Sequence, residues 1–388
     1  MMLPSEIDVL VIGGGIIGMC AALDILHEGR GVAIIDDGRH SGTTANAGSL
    51  HVQMQSRFIR LYPELAPNLE RSLQLYPAGA ARWRALASEL DADMEIRQSG
   101  GLMVAEDEVQ FSFLAAKCAR ERALGLDVHM LDRAELRQVA PYLGDVVCGA
   151  ELCREEGKLN PLKANEAIRR ALVALGVLRI DSARVTGITR SSGRLTASVA
   201  SPAASGTITA GLVILASGAG TGPLAQGLGV RIPTEAEPLH MNVTEATAPL
   251  IGHLVQHAER MITLKQLGAG QVVIGGGWPA RFSGPEQFPV VDPASMIGNL
   301  SLAQHIVPKL GALRVLRTWA GVNTTADGQC ILGALPGWPD VFVAVPGDAG
   351  YTLGPLVGRM AALMALGKDP GFDIARFTPA RFSPASAG

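Results

Sequence analysis

A glycine pattern between an apolar strand and a helix constrains this chain more than any other feature. Gly13, Gly15 and Gly18 form a G-x-G-x-x-G pattern. It directly follows the apolar run 7–12 (IDVLVI) and opens the helical segment 16–28. In a β-α-β unit these glycines allow a tight turn, a close approach of the backbone to a pyrophosphate, and packing of the helix on the strand. The N-terminus of the helix attracts phosphate. The pattern therefore predicts a doubly wound α/β domain that binds a dinucleotide.

The segment after the second strand favours one dinucleotide over the other. Asp36 ends the strand 32–35, near the distance of about 20 residues at which an acid accepts hydrogen bonds from a ribose. The loop 41–50 (SGTTANAGSL) then offers hydroxyls for phosphate oxygens and bare backbone for a flat ring. An NAD-binding domain has no need of such a loop, so the pattern favours FAD. An ordinary Ser/Gly loop and an NAD-dependent dehydrogenase remain as alternatives.

The composition excludes several classes of protein. Lys and Arg number 33 and Asp and Glu number 36, a net charge of −3 that argues against a nucleic-acid partner. Apolar residues make up 48% and charged residues 18%, so the chain is not disordered. A length of 388 residues predicts two or three domains. The 46 glycines indicate either many tight turns or a backbone that approaches a large ligand at several points.

Targeting and metal signals are lacking in the sequence. The first 15 residues carry acids and no basic region, and no run reaches about 18 apolar residues, so we expect neither a signal peptide nor a membrane span. We therefore expect a cytoplasmic protein. Five cysteines without C-x-x-C spacing predict no disulfide framework, zinc site or iron–sulfur cluster. His253 and His257 lack an H-E-x-x-H motif, so we expect no metal there.

Apolar periodicity predicts the remaining elements. Helical spacing indicates helices at 111–124, 133–139, 165–175, 296–307 and 355–366, with a proline-interrupted helical region at 61–90. Strand patterns occur at 91–105, 177–190, 194–200, 212–216, 239–245, 271–275 and 341–345. The turn-rich segment 317–337 is predicted as loop and turn.

Several blocks carry a family resemblance in a fixed order along nearly the whole chain. The blocks are DVLVIGGGIIG (8–18), TTANAGSL (43–50), LVILASGAG (212–220), VVIGGGW (272–278), RTWAGVNTTADGQCILG (317–333) and VPGDAGYTLGPLVGR (345–359). Together they resemble the D-amino-acid oxidase superfamily of FAD enzymes, which includes glycine oxidase, the β subunit of sarcosine oxidase and bacterial D-amino-acid dehydrogenases.

The resemblance implies a fold and a set of cofactor contacts. The fold is an α/β, Rossmann-like FAD-binding domain of the glutathione-reductase type in three segments, with an inserted α+β substrate domain. The FAD-binding segments are 1–90, 149–222 and 319–388, and the substrate-domain segments are 91–148 and 223–318. The implied FAD contacts are Gly13, Gly15, Ile16, Ile17, Gly18, Asp36, Asp37, Thr43, Thr44, Gly48, Ser49, Val185, Gly218, Gly347, Gly350, Tyr351, Thr352 and Leu353.

The resemblance also implies a reaction. Members oxidise an amine C–H by hydride transfer to the flavin, and the imine hydrolyses to an oxo acid or aldehyde and an amine. The length, the EEGKLNP segment at 155–161 and the WAGVN block at 319–323 are most similar to β subunits of heteromeric opine and D-hydroxyproline dehydrogenases. That branch implies partner subunits with iron–sulfur or additional nucleotide redox sites. A homomeric oxidase that uses oxygen and a non-catalytic flavoprotein relay subunit remain as alternatives.

Two departures from the family affect the predicted active site. Many members have an arginine at the position of Asn323, and glycine oxidase has one at the position of Asp348, so two carboxylate-binding groups are missing. Asp348 would then pair with a cationic substrate group, unless it only forms a turn. The catalytic candidates are Asp348, Asn323 and His51. Candidates for binding a substrate carboxylate are Lys265, Arg281, Arg57 and His240. Cys330 lies downstream of the block in which some sarcosine oxidases attach their flavin, so no covalent attachment is expected.

Overall fold

The structure is a computed structural model that describes residues 3–39, 42–191, 193–202, 205–347 and 349–383, with only the backbone of Arg57. Helices and strands are numbered in chain order. The helices are α1 (Ile16–His27), α2 (Ser56–Leu61), α3 (Ala66–Ser72), α4 (Leu75–Glu89), α5 (Glu108–Ala123), α6 (Arg133–Val139), α7 (Pro161–Ala174), α8 (Thr221–Gly227), α9 (Pro293–Ile306) and α10 (Gly350–Ala365).

The first sheet is mainly parallel. Its strands run in the spatial order β19-β20-β11-β1-β2-β8, and β10 and β9 extend it antiparallel from β11. They are β1 (Glu6–Ile12), β2 (Val32–Asp36), β8 (Leu178–Asp181), β9 (Arg184–Ser191), β10 (Arg194–Ala200), β11 (Ser205–Leu215), β19 (Ile331–Leu335) and β20 (Trp338–Val345). The central strands are buried along their apolar runs, as expected for a sheet covered on both faces. The predicted α/β fold class is confirmed.

The parallel strands place four loops at one edge of this sheet. Strands β1, β2, β11 and β20 run in the same direction, so their carboxyl ends meet there. The segments that leave these ends are the Gly13–Gly15 turn, Asp36–Asp37, the turn at Gly218 and the approach to α10 at Gly347. Ligands of open α/β sheets bind outside this edge.

Helices α1 and α10 pack together on one face of the first sheet, with their backbones in close contact. Gly354 and Gly358 lie one turn apart on α10 and face α1. A Cβ on Gly358 would lie 2.6 Å from the Ile17 carbonyl oxygen, and one on Gly354 would lie 2.7 Å from Ile16 Cγ2. The small residues therefore let both N-termini approach the same edge of the sheet.

The second sheet has the strand order β18-β12-β15-β14-β13-β4-β6-β5. Its strands are β4 (Gly101–Ala105), β5 (Val128–Leu131), β6 (Gly149–Cys153), β12 (Glu235–Ala246), β13 (Leu254–His257), β14 (Thr263–Gln266), β15 (Gln271–Gly275) and β18 (Val315–Thr325). One face packs on α9 through Leu102, Val255, Leu264 and Ile274. Two small ribbons, β3 (Ser49–Leu50) with β7 (Gly157–Lys158) and β16 (Arg281–Ser283) with β17 (Phe288–Val290), lie outside both sheets.

The prediction of loop and turn for 317–337 was wrong. Most of that segment forms β18 and β19, and β18 pairs with β12 over nearly its full length. The Gly, Thr and Asn residues of β18 hide its strand character, because the pairing that stabilises it comes from residues far away in the chain. In 91–105 only β4 is a strand, with an isolated bridge between Arg97 and Lys158.

The division of the chain into domains stays a prediction. Strand β6 lies in the second sheet although 149–222 was assigned to the FAD-binding domain, and β18 crosses the predicted start of the third FAD-binding segment. Within the described ranges, no helix is long and apolar enough to cross a bilayer.

Substituting Gly358 by alanine tests the close packing of α1 and α10. We expect Gly358→Ala to lower the free energy of unfolding by about 1–3 kcal/mol, because the new Cβ meets backbone atoms that cannot move aside. Helix propensity alone would favour alanine by about 1 kcal/mol. Gly227→Ala is the matched control, since a Cβ at this helical glycine meets nothing within 4 Å. Denaturant unfolding of both variants measures the difference; equal stabilities would contradict the packing argument.

Candidate functional site

The glycine turn after β1 approaches neighbouring backbone closely. Gly13 has φ +110°, and a Cβ there would lie 2.3 Å from the Ala216 carbonyl oxygen. Gly15 is the N-cap of α1 and offers no side-chain cap. The Thr43 hydroxyl accepts a hydrogen bond from the Ile16 N–H at 2.8 Å, so the loop after β2 lies against the start of the helix. The rest of the first helical turn keeps N–H groups for a ligand.

Asp36, the last residue of β2, lies over this turn, and Asp37 follows it in the chain. A Cβ on Gly14 would lie 2.2 Å from Asp36 Oδ2, so the carboxylate of Asp36 covers the turn. Arg179 approaches Asp36 at 3.5 Å, and Arg184 approaches Asp37 at 3.4 Å. The nearby Arg179 Nη1 is buried without a hydrogen-bond partner in the described part of the chain. A ligand that carries hydroxyl or phosphate oxygens satisfies such a donor.

The other end of the edge is formed by the start of α10. Gly347 has φ +71° and lies against the Gln329 backbone, and Gln329 Oε1 is buried with no partner among the described atoms. Gly350 begins α10, and the Thr352 hydroxyl accepts the His51 N–H at 2.9 Å. Tyr351 is held by stacking on Trp83 and by a hydrogen bond from its hydroxyl to Asn165; Leu353 is buried beside it.

The remaining predicted cofactor residues lie in different settings. Gly48 has φ +77° and contacts the Leu159 backbone, and Ser49 is in β3. Thr44 is exposed, Val185 is buried on β9, and Gly218 begins a short 3-10 turn with φ +56°. The bare turns, the two helix N-termini and the two orphaned polar atoms fit an elongated dinucleotide along this edge.

The second sheet presents a buried polar face toward the loop that follows β2. Alternate residues of its strands point to opposite faces, so Gln256, Thr263, Lys265 and Met103 share the face opposite to the apolar cluster on α9. Lys265 Nζ donates to Ser49 Oγ at 2.8 Å. On the same face, Trp319 Nε1 donates to Ala45 O and Ser56 contacts Met103. The two sheets therefore meet across residues 45–56.

The buried carboxylate of Glu156 joins the loop 45–56 to the second sheet through hydrogen bonds. Glu156 Oε1 accepts the N–H groups of Val52 and Gln53 at 2.8 and 3.1 Å. Its Oε2 accepts the side-chain amides of Gln53 and Gln256, both at 2.8 Å. Burial raises the pKa of Glu156 to about 7, and the hydrogen bond from Gln53 opposes that shift. A Cβ on Gly101 would lie 1.8 Å from Oε2, so that glycine makes room for the carboxylate.

His51 lies beside Glu156. Together with Gln53, Gln256 and Lys265, these two residues form what we call the buried polar cluster. Its Nδ1 is 4.0 Å from Glu156 Oε1 and is buried without a hydrogen-bond partner in the described ranges. Burial, followed by the neighbouring Lys265, lowers the pKa of His51 to about 3. The imidazole is therefore neutral at ordinary pH, and one of its ring nitrogens can serve a ligand.

The structure separates the predicted catalytic residues. His51 lies in the buried polar cluster, whereas Asn323 Nδ2 bonds Glu237 on the neighbouring strand, where the pair is exposed. Asp348 lies outside the described residues. Roles for all three stay predictions.

The four candidates for binding a substrate carboxylate do not lie together either. Arg281 pairs with Asp292 at 2.9 Å, and its side chain is 63% exposed. His240 lies on the opposite face of β12, with Nδ1 3.4 Å from the Pro279 carbonyl oxygen. Neither residue lies in the buried polar cluster. His240 faces away because successive residues of a strand point to opposite faces, and Arg281 is held elsewhere by its ion pair with Asp292. The side chain of Arg57 is not described. Lys265 alone of the four is placed in the cluster by the described side chains.

Sequence reasoning missed Glu156, Gln256 and Gln53. Glu156 stands in the EEGKLNP segment, but nothing local distinguishes it from the adjacent Glu155. The alternation of Thr263, Leu264 and Lys265 was the available signal for a strand with one polar face. No group of three metal-ligating side chains occurs among the described residues. His253 instead bonds the Tyr142 hydroxyl, and His257 Nδ1 accepts backbone N–H groups.

Comparisons with known proteins agree with this geometry. A family model described as DAO, FAD dependent oxidoreductase, matches residues 8–364. The chain is 25% identical to the beta subunit of sarcosine oxidase from Rhizobium meliloti (85% of this chain and 77% of that protein). It is also 25% identical to the B subunit of opine oxidase from the same organism (87% and 88%). The crystal structure of glycine oxidase from Geobacillus kaustophilus matches with a TM-score of 0.84 at 22% identity, covering 98% of this chain and all of that one.

Glu156→Gln tests the role of the buried carboxylate. We expect it to lower the free energy of unfolding by about 2–4 kcal/mol, because the new amide group faces N–H donors that lose their acceptor. Glu155→Gln is the control, since this neighbouring glutamate makes one long hydrogen bond in an exposed setting. Denaturant unfolding compares the two variants. A similar loss in both would show that Glu156 has no special structural role.

The neutral, largely buried imidazole of His51 predicts a dependence of stability on pH. Its pKa is about 3 in the folded chain against 6.5 as the ordinary value, so the unfolded chain binds more protons between those values. The stabilisation is complete above pH 6.5 and is lost as the pH falls towards 3. Because of His51, we expect the free energy of unfolding to be about 2 kcal/mol lower at pH 5 than at pH 7.5. We expect His51→Gln to lack this decrease. Denaturant unfolding at both pH values measures it; parallel losses in wild type and variant would refute the assignment.

Proposed function

The chain belongs to the DAO family of FAD-dependent oxidoreductases, and on that premise we propose that it oxidises an opine, a D-amino acid or a related secondary amine. It is an FAD-dependent oxidoreductase that acts on amines or amino acids. In the proposed reaction the C–H beside the amine nitrogen is oxidised. The resulting imine is hydrolysed by water to an oxo acid and an amine.

One observation carries the proposal. The buried polar face of the second sheet lies against residues 45–56, next to the edge where the parallel strands end. Buried polar side chains normally have partners, yet His51 Nδ1 and Gln256 Oε1 lack one in the described structure. A small polar substrate bound between this face and the edge where β1, β2, β11 and β20 end, which we call the cofactor edge, would supply hydrogen-bond partners to both atoms.

The cofactor would be held by backbone at both ends of the edge. We propose that the Gly13–Gly18 turn binds the pyrophosphate, that Asp36 and Asp37 bind the adenosine ribose, and that the start of α10 runs beneath the ring. Thr43 orders the first turn of α1 through its bond to Ile16. FAD, when bound, accepts the hydride that leaves the substrate carbon.

The side chains of the cluster would bind and orient the substrate. The ring of His51 is neutral at ordinary pH, so it would accept or donate one hydrogen bond at the amine without adding charge. The substrate amine must be neutral to lose hydride, and we propose no obligatory ionised base. The buried face would also exclude water from the reacting carbon.

We further propose a setting for the reaction. Two relatives are named as subunits of larger enzymes, one of sarcosine oxidase and one of opine oxidase. These names support a catalytic subunit with partner chains. We propose in addition that the assembly is cytoplasmic and that the partner chains carry iron–sulfur or additional nucleotide redox sites. A homomeric oxidase that uses oxygen is the second candidate, favoured by the likeness to glycine oxidases. A flavoprotein that only relays electrons is the third.

An anaerobic bleaching screen of the purified flavoprotein tests the proposal. Opines, D-amino acids, N-methyl amino acids and D-hydroxyproline are each mixed with the protein without oxygen, and the absorbance of the flavin is followed. We expect at least one class to bleach it. Admitting air then separates the candidates, because an oxidase forms hydrogen peroxide at the rate of turnover and a dehydrogenase subunit does not. Bleaching by none of them would overturn the proposed activity and favour the relay.

A further inference from the structure

Two lysines are almost completely buried among the residues that the structure describes, and their ammonium groups differ in their hydrogen-bond partners. Lys117 is 4% exposed and lies on α5. Its Nζ bonds Glu151 Oε2 at 2.7 Å, Glu121 Oε2 at 3.0 Å and Gln53 Oε1 at 3.2 Å. All three donors of this ammonium group have acceptors, and two of these are carboxylates. The chain thus compensates the charge of Lys117 internally, as a buried cation requires.

Lys265 has no such compensation. It is 0% exposed, and the Ser49 hydroxyl is the acceptor that the described residues supply to its Nζ. No carboxylate of the described chain lies within 4 Å of it. Burial, followed by the nearby Lys158, lowers the pKa of Lys265 to about 7. A buried amine with two unused donors and no anion destabilises a fold unless something outside the chain completes it.

The place of Lys265 in the fold indicates what completes it. Its side chain leaves β14 on the polar face, and Ser49 stands between it and the Gly48 turn. His51 is close enough for the charge of Lys265 to lower its pKa. The amine therefore lies at the junction of the substrate-facing sheet and the loop against the cofactor edge. Glu156, the buried carboxylate beside His51, already accepts hydrogen bonds from four N–H donors.

We propose that Lys265 binds the carboxylate of the substrate. This inference rests on the proposed function and narrows its substrate class to amines that carry a carboxylate near the reacting carbon. The carboxylate would take the two free donors of Nζ and restore full protonation of the amine, because an adjacent anion favours the charged form.

The test uses two methionine variants of the FAD-loaded protein, Lys265→Met and Lys117→Met. Methionine keeps the length and apolar stem of lysine without the amine. We expect Lys265→Met to raise the melting temperature, because an uncompensated buried amine is removed. We expect Lys117→Met to lower it, because Glu121 and Glu151 lose their cation. A purely structural Lys265 would instead behave like Lys117, and a fall in the melting temperature of Lys265→Met would count against the inference.

The binding test uses acetate, with acetamide as its neutral isostere, and follows the visible spectrum of the bound flavin. We expect acetate to perturb the spectrum of the wild type and acetamide to bind at least about 10-fold more weakly, since a charge-assisted bond is lost. Lys265→Met should bind acetate about 10-fold or more weakly than the wild type, and Lys265→Arg should restore part of the affinity. Equal acetate affinity in the wild type and Lys265→Met, or no acetate binding by the wild type, would overturn the inference.

This readout needs no turnover, so it separates the two proposals. Acetate binding that depends on Lys265, with no amine that bleaches the flavin, would leave the carboxylate site standing and overturn the proposed reaction. Bleaching by an amino acid with unchanged KM in Lys265→Met would do the reverse. For any amine that bleaches, we expect Lys265→Met to raise KM about 10-fold or more, with no change for the corresponding amine without a carboxylate.

Discussion

Four hydrogen bonds to one buried carboxylate join the parts of this protein that form its candidate site. Glu156 accepts two backbone N–H groups from the loop after His51 and two side-chain amides, one of them from Gln256 on the second sheet. The charge is expensive to bury, and the donors offset that cost only in this arrangement. The loop, the cofactor edge and the polar sheet face are therefore held in one relative position, which is what an enzyme needs to align a C–H bond with a cofactor.

The distribution of buried charge distinguishes structural from functional polar groups. The ammonium group of Lys117 has acceptors for all three donors in Glu121, Glu151 and Gln53, and Gln53 also donates to Glu156, although Glu151 Oε1 has no partner in the described chain. Where the second sheet meets the loop 45–56, two groups keep unused hydrogen-bonding capacity in the described structure. They are the ammonium group of Lys265 and the Nδ1 atom of His51. Buried polar groups that lack hydrogen-bond partners lower the stability of a well-packed cluster, and such a loss of stability is typical of sites that bind a ligand.

The sequence predicted those parts of the fold that rest on local rules. The turn from Gly13 to Gly18 and the apolar central strands follow from backbone approach and burial on both faces. The strand 315–325 was missed because its stability comes from pairing with the distant strand 235–246, and its own residues resemble a loop. Gly101 lies at the start of β4, and its lack of a side chain makes room for Glu156, which the strand pattern alone did not indicate.

The predicted cofactor residues stay a prediction, and the sequence could propose them because most lie close to a strand end, in blocks with their own spacing. The substrate side could not be proposed in the same way, because its groups come from β13, β14 and the segment before β7, and strand alternation decides which of them face inward. Lys265 and His240 were equal candidates in the sequence, and the pairing of the second sheet turned one towards the loop and the other away. The sequence by itself determined the family, the cofactor and the order of the parallel strands whose ends form the predicted cofactor edge. Only the tertiary structure decided which buried charges are compensated, because compensation depends on contacts between distant segments.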